Sequence, residues 1–166
     1  MSKEKVLFIV RHAKSSWDIE NISDVDRPLK LRGIRDAYEM ARRLKINRIY
    51  PQYFISSPAN RALHTANIFM TVFEVDYKNF CIEPRFYEKG AKTILEVIRS
   101  QPTEIDNLIV FGHNPDFSEL VRGFANESFF ELPTCGVVIL KFACDSWKEI
   151  SKNNLTSEFF DYPKKD

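Results

Sequence analysis

Two of the apolar runs in this chain constrain it most: Val6-Leu7-Phe8-Ile9-Val10 and Leu108-Ile109-Val110-Phe111, neither with a polar side chain. A strand with one wet face alternates apolar and polar residues, whereas an unbroken apolar strand is covered on both faces. Shortness and β-branching favour strand over helix in each run. Between them the apolar period changes. Ile34, Ala37, Tyr38, Ala41 and Leu44 recur at helical spacing, with Glu39 and Arg43 an i,i+4 ion pair on the wet side. Doubly covered strands alternating with amphipathic helices predict a three-layer α/β/α fold on a mostly parallel sheet.

The remaining segments extend this pattern. Tyr53 to Ser56 reads as a strand, followed by a helix with Ser57 as N-cap and Pro58 at its first turn. That helix turns Ala62, Ala66, Phe69, Met70 and Phe73 inward. A short strand at Phe80 to Ile82 and a helix from about Ala91 to Arg99 come next. After Phe111, Asn114 reads as a cap and Pro115 as the first residue of a helix carrying Phe117, Leu120, Val121 and Phe124. The last third lacks helical periodicity. Gly136 to Phe142, Trp147 to Ile150 and Glu158 to Phe160 read as strands, so an antiparallel C-terminal strand or hairpin is expected. The 166 residues suit one domain spanning 1–166.

Composition excludes several function classes. The net charge of +1 offers no basic field for nucleic acid, and the terminal pair Lys164-Lys165 is too short to make one. The first apolar run is too short for a signal segment or a membrane span. Cys81, Cys135 and Cys144 form no Cys-x-x-Cys pair, so neither a zinc ribbon nor a redox dithiol is indicated. Three reduced thiols in a cytoplasmic protein are expected.

The chemistry sits at the strand ends. Arg11 and His12 follow the first apolar run, His113 follows the run ending at Phe111, and Arg61 falls in the first turn of the helix after Ser56. In open α/β sheets ligands bind outside the carboxyl ends of the strands. Helix N-termini there add free N–H groups and a favourable dipole for anions. Parallel neighbouring strands would therefore bring a pair of imidazoles and a pair of guanidinium groups together, which suits a phosphoryl group. His64, one helical turn after Arg61, reads as a surface residue.

These residues lie in recognisable strings. Arg11-His12-Ala13-Lys14-Ser15-Ser16-Trp17-Asp18, Asp26-Arg27-Pro28-Leu29 with Arg32-Gly33, Ser57-Pro58-Ala59-Asn60-Arg61-Ala62 with Thr65-Ala66, and Gly112-His113-Asn114-Pro115 stand in that order. Together they resemble the histidine phosphatase superfamily, which includes the cofactor-dependent phosphoglycerate mutases. The likeness is nearest to its small SixA-like phosphohistidine phosphatases. Ala13 stands where that family usually has Gly, and Lys30 where it often has a better N-cap.

The resemblance implies a phosphoglycerate mutase-like fold and a metal-independent phosphatase without cofactor. His12 would be the nucleophile that forms a phosphohistidine intermediate. Arg11, Arg61 and His113 would hold the phosphoryl oxygens. Asp18 and Glu88 are the candidate proton donors; Asp18 occupies a place where relatives carry a phosphate-contacting Asn. Ser15 and Ser16 are candidate phosphate donors, and Lys14 or Trp17 could meet the rest of the substrate. The few residues between Arg85 and Ala91 leave no material for a lid, which favours hydrolysis over mutase chemistry and a phosphorylated protein as substrate. A small phosphorylated substrate and a non-catalytic phosphate-binding module are the alternatives.

Other phosphatase chemistries fit poorly. A cysteine phosphatase needs Cys-x5-Arg, and Cys81 stands at the wrong interval from Arg85. Asp24-Val25-Asp26 has the letters of an aspartyl phosphatase, but no buried strand precedes it. No phosphate-binding glycine loop of the nucleotide-binding kinds is present.

Overall fold

A computed structural model describes residues 3–48, 50–125 and 131–164; Lys165 of the terminal basic pair lies outside them. The strands are β1 (Glu4–Arg11), β2 (Tyr53–Ser56), β3 (Phe80–Ile82), β4 (Asn107–Gly112), β5 (Val137–Ala143) and β6 (Leu155–Asp161). The helices are α1 (Leu31–Ile46), α2 (Asn60–Phe73), α3 (Ala91–Arg99) and α4 (Asp116–Arg122). One six-stranded sheet runs in the order β3-β2-β4-β1-β5-β6. β1, β2, β3 and β4 pair in parallel, and β5 is antiparallel to both β1 and β6. The expected three-layer, mostly parallel α/β architecture with an antiparallel C-terminal hairpin is therefore the one observed.

The unbroken apolar runs feed two cores. Leu7 and Ile9 of β1, with Leu108 and Val110 of β4, face a cluster completed by α3 and α4 residues such as Ile94, Ile98, Phe117 and Val121. Val6, Phe8 and Val10, with Ile109 and Phe111, face the opposite cluster with Ala37, Met40, Ala41 and Phe69 of α1 and α2. Burial of each such side chain contributes about 1.5–3 kcal/mol, so both apolar runs, Val6 to Val10 and Leu108 to Phe111, are free of polar residues.

Strand order also places the site. The chain steps outward from β1 to β2 and β3, then returns to β4. Right-handed crossovers therefore put α1 and α2 on one face and α3 on the other, where α4 shares its core cluster. β1 and β4 are direct neighbours whose following helices diverge to opposite faces, which opens a crevice at their carboxyl ends. Arg11 pairs with Gly112 in register, and the His12 N–H donates to the Gly112 carbonyl at 3.0 Å.

Three local expectations need correction. Trp147–Glu149 is a 3-10 turn, not a strand. The Ser146 hydroxyl accepts the Lys148 N–H, and the buried Trp147 indole donates to the Ile105 carbonyl at 2.7 Å, which curls the segment against the loop that leads into β4. Ser57 does not cap α2, which begins at Asn60 after Ala59; its hydroxyl accepts the Ala59 N–H and is engaged by His113. α4 begins one residue later than expected, at Asp116. The Asn114 side chain nevertheless accepts from both the N–H and the hydroxyl of Ser118, holding the first turn.

Candidate active site

The loop after β1 is held at both ends. The Ala13 N–H donates to Thr65 Oγ1 at 3.0 Å, and the Thr65 hydroxyl donates to the Arg61 carbonyl, tying the loop to α2. Ser16 and Lys30 N–H groups bond Pro28 and Lys14 carbonyls. A Cβ at Gly33 would collide with the Lys14 carbonyl oxygen, so this close approach requires glycine there.

A cavity of about 220 Å³ opens where these pieces meet. It is lined by Arg11, His12, Lys14, Ser15, Trp17, Arg27, Arg61, His113, Asn114 and Thr134. The His12 and His113 rings lie 5.1 Å apart between centroids. Arg61 Nε is 3.4 Å from His12 Nε2, and the side chains of His12 and Arg61 are almost wholly buried. The residues Arg11, His12, Arg61 and His113, remote in sequence, thus share one pocket.

The His12 ring has a defined tautomer. Nδ1 lies 2.8 Å from the carbonyl oxygen of Ala13. A carbonyl only accepts, so Nδ1 carries the proton and Nε2 keeps its lone pair. Burial pushes the imidazole pKa well below its usual value, and repulsion by His113, Arg61 and Arg11 adds to this against the Ala13 bond. His12 is therefore a neutral nitrogen base at physiological pH. His113 is held by Ser57 Oγ at 2.7 Å from its Nε2, while its Nδ1 is buried without a partner.

Burial, followed by the charge of Arg61, lowers the His113 pKa to about 3. The imidazole of ligand-free protein should thus remain neutral at pH 5 by NMR titration; protonation near the ordinary 6.5 would contradict this environment. The sign for stability follows. As pH falls from about 6.5 toward 3, the unfolded chain takes up a proton that the folded state refuses, so stability is lost on acidification.

Three residues to which the sequence reading assigned no role in the site support the pocket, and Arg27 also lines it. Arg27 reaches it from the loop before α1, donating to Ser15 Oγ at 2.8 Å and to the Ser16 carbonyl. Asp24 gathers the cations. One carboxylate oxygen accepts from Arg27 Nε at 3.0 Å, the other from Arg61 Nη2 at 3.0 Å, and the Asp24 carbonyl accepts from Arg61 Nη1 at 2.7 Å. Tyr87 donates its hydroxyl to the same carboxylate at 2.6 Å and sets its ring edge-on to His113. Burial alone would raise the Asp24 pKa, but the bonds from Tyr87, Arg27 and Arg61 hold it well below the carboxylate range. The bond to Asp24 raises Tyr87 to about 12. No hydrophobic periodicity marks these residues, because they lie on or beside short 3-10 turns, Asp24–Asp26 and Pro84–Phe86.

The other expected residues fall differently. Ser15 is buried in the cavity wall. The Ser16 hydroxyl instead accepts the N–H of Asp18. Asp18 and Glu88 are exposed, and neither lines the cavity; nor does His64. Arg11 donates to the Leu132 carbonyl at 3.0 Å, and its Nε is buried without a partner. Among the described residues no cluster of His, Cys, Asp and Glu could hold a metal ion, and no helix is long and apolar enough to cross a membrane.

The chemistry of this pocket agrees with its likeness to known proteins. The model of the histidine phosphatase superfamily (branch 1) matches residues 7–88. An uncharacterized chloroplastic protein of Arabidopsis thaliana is 31% identical over 153 residues, covering 86% of this chain and 69% of its own. An uncharacterized protein of Mycobacterium tuberculosis is 30% identical over 151 residues, covering 85% and 91%. The fold matches the structure of the protein histidine phosphatase SixA complexed with tungstate, with a TM-score of 0.75 at 19% identity over 95% of this chain and 94% of that one.

Proposed function

The chain is a phosphatase of the histidine phosphatase superfamily, and from that premise we propose that it hydrolyses phosphohistidine on proteins through a phosphohistidine intermediate of its own. The observation that carries the reading is the fixed tautomer of His12, whose unprotonated Nε2 faces a cluster of cations and accepts a long bond of 3.4 Å from Arg61 Nε. Nε2 attacks phosphorus in line. The bond from phosphorus to the leaving group breaks, and its electron pair departs with that group. Water then attacks the phosphorylated His12, releasing inorganic phosphate and restoring neutral imidazole. Arg11, Arg61 and His113 hold the equatorial oxygens, and Arg27 and Ser15 add donors at the rim. Guanidinium groups aimed at developing charge act without reorganisation, so no metal is needed for charge stabilisation.

The distribution of acids supports the substrate class. An alkoxide leaving group needs a proton from a nearby acid. Asp24 is locked as an anion among arginines and Tyr87 holds its proton tightly, whereas Asp18 and Glu88 stand outside the cavity. Imidazole leaves more readily than an alkoxide. The site therefore suits a phosphoramidate better than a phosphate monoester, and its open mouth suits a residue displayed on a protein. The unpaired Cys81, Cys135 and Cys144 fit a reducing, cytoplasmic setting.

Steady-state phosphate release from a phosphohistidine peptide and a phosphoserine peptide of the same sequence tests this. The expected result is turnover of both with a clear preference for phosphohistidine in kcat/KM. Preference for phosphoserine would replace the phosphoramidate with a phosphate monoester as substrate, and binding without turnover would make the domain a phosphate-binding module.

A further inference from the structure

Trp17 is the largest exposed apolar side chain at the cavity, 73% accessible to solvent. Its ring is nevertheless not loose. The guanidinium of Arg27 lies over one face at 3.5 Å from the ring centroid. Arg27 is itself fixed by Asp24, Ser15 and Ser16. A cation anchored from three sides presents the indole as a preset wall, with its second face open to solvent. An exposed aromatic plane backed in this way suits recognition and contributes little to the core.

The position of the wall indicates what it meets. With Arg11, His12, Arg61 and His113 engaged by the phosphoryl group, the remaining walls are Lys14, Ser15, Trp17, Arg27, Asn114 and Thr134. Trp17 is the one aromatic surface among them. A leaving group bonded directly to phosphorus has these remaining walls as its surroundings. We propose that the free face of Trp17 forms a leaving-group subsite that stacks a flat aromatic or heteroaromatic ring attached directly to phosphorus. This rests on the phosphatase reading above and adds a physical source for its selectivity: imidazole has a π-face to offer, whereas the alkyl arm of phosphoserine has none.

Two non-hydrolysable probes separate the subsite from the phosphoryl pocket. Phenylphosphonate carries a ring on phosphorus and methylphosphonate does not. Isothermal titration calorimetry on the full chain should give phenylphosphonate a lower Kd by about three- to tenfold, the range of one aromatic stacking contact. Trp17→Ala should bring the two ligands level, with methylphosphonate affinity little changed, and Trp17→Phe should keep most of the preference. A preference that survives Trp17→Ala overturns the subsite, as does an equal weakening of both ligands, which would mean that Trp17 only steadies Arg27. Methylphosphonate binding without any preference for the phenyl ligand sinks the subsite alone. Failure of both ligands to bind the unsubstituted protein sinks the phosphoryl pocket and the subsite with it.

Discussion

His12→Ala should abolish phosphate release, by about 10⁴-fold or more, while the protein stays folded. The two halves of this result have separate causes. The backbone of His12 is secured by its own N–H bond to Gly112 and by the Cys135 N–H that reaches its carbonyl. Neither bond involves the side chain. The imidazole itself makes one strong contact, to the Ala13 carbonyl, and faces the cavity, so its removal costs the core little. For catalysis the loss is complete, because among the described residues no other imidazole nitrogen faces the Arg61 guanidinium. His113 lies across the pocket, but Ser57 occupies its Nε2. Loss of a nucleophile removes a covalent route, and what remains is binding and electrostatics acting on water. Circular dichroism and thermal unfolding would show an unchanged fold. Full activity in this variant would end the assignment of His12 as nucleophile.

Arg61→Ala should lower kcat by about two to three powers of ten, in line with loss of a transition-state oxygen donor. Arg61 serves two partners at once. Its Nη groups are anchored on Asp24, which leaves Nε as the donor beside His12 Nε2. Anchoring fixes the guanidinium before substrate arrives, so little reorganisation is needed when charge spreads over the phosphoryl oxygens. Removal of the side chain also leaves the Asp24 carboxylate with Arg27 and Tyr87 only, facing an incoming dianion. Arg61→Lys should not restore the rate, because a single ammonium cannot hold Asp24 and the substrate in one plane. A change confined to KM would mean that Arg61 only binds.

Much of the frame could be read from residue patterns because the sheet is covered on both sides. Val6, Phe8 and Val10 on one face and Leu7 and Ile9 on the other all had to be apolar. That same burial made the strand ends, and hence the places of His12 and His113, visible. Arg61 was legible because the helix following Ser56 starts close to it. Trp147 was misread as strand because its conformation is set by a side-chain cap from Ser146 and by a long-range bond from its indole to Ile105, neither of which shows as periodicity. Asp24, Arg27 and Tyr87 were given no role in the site for a related reason. In sequence they resemble solvated loop charges and a surface phenol; their role arises only when one carboxylate joins two guanidinium groups and a hydroxyl. Ser57 shows the cost of local reasoning. A serine just before a predicted helix is a natural cap, yet its hydroxyl is claimed by a histidine from another strand.

The phosphorylated enzyme itself is the decisive species. Rapid quenching in alkali during turnover of a phosphohistidine peptide labelled in its phosphoryl group, followed by digestion and peptide mapping, would locate the transferred group. The account predicts acid-labile, alkali-stable label on the peptide containing His12, absent from His12→Ala. Label on any other residue, or turnover at the full rate with no label on the protein, would contradict it.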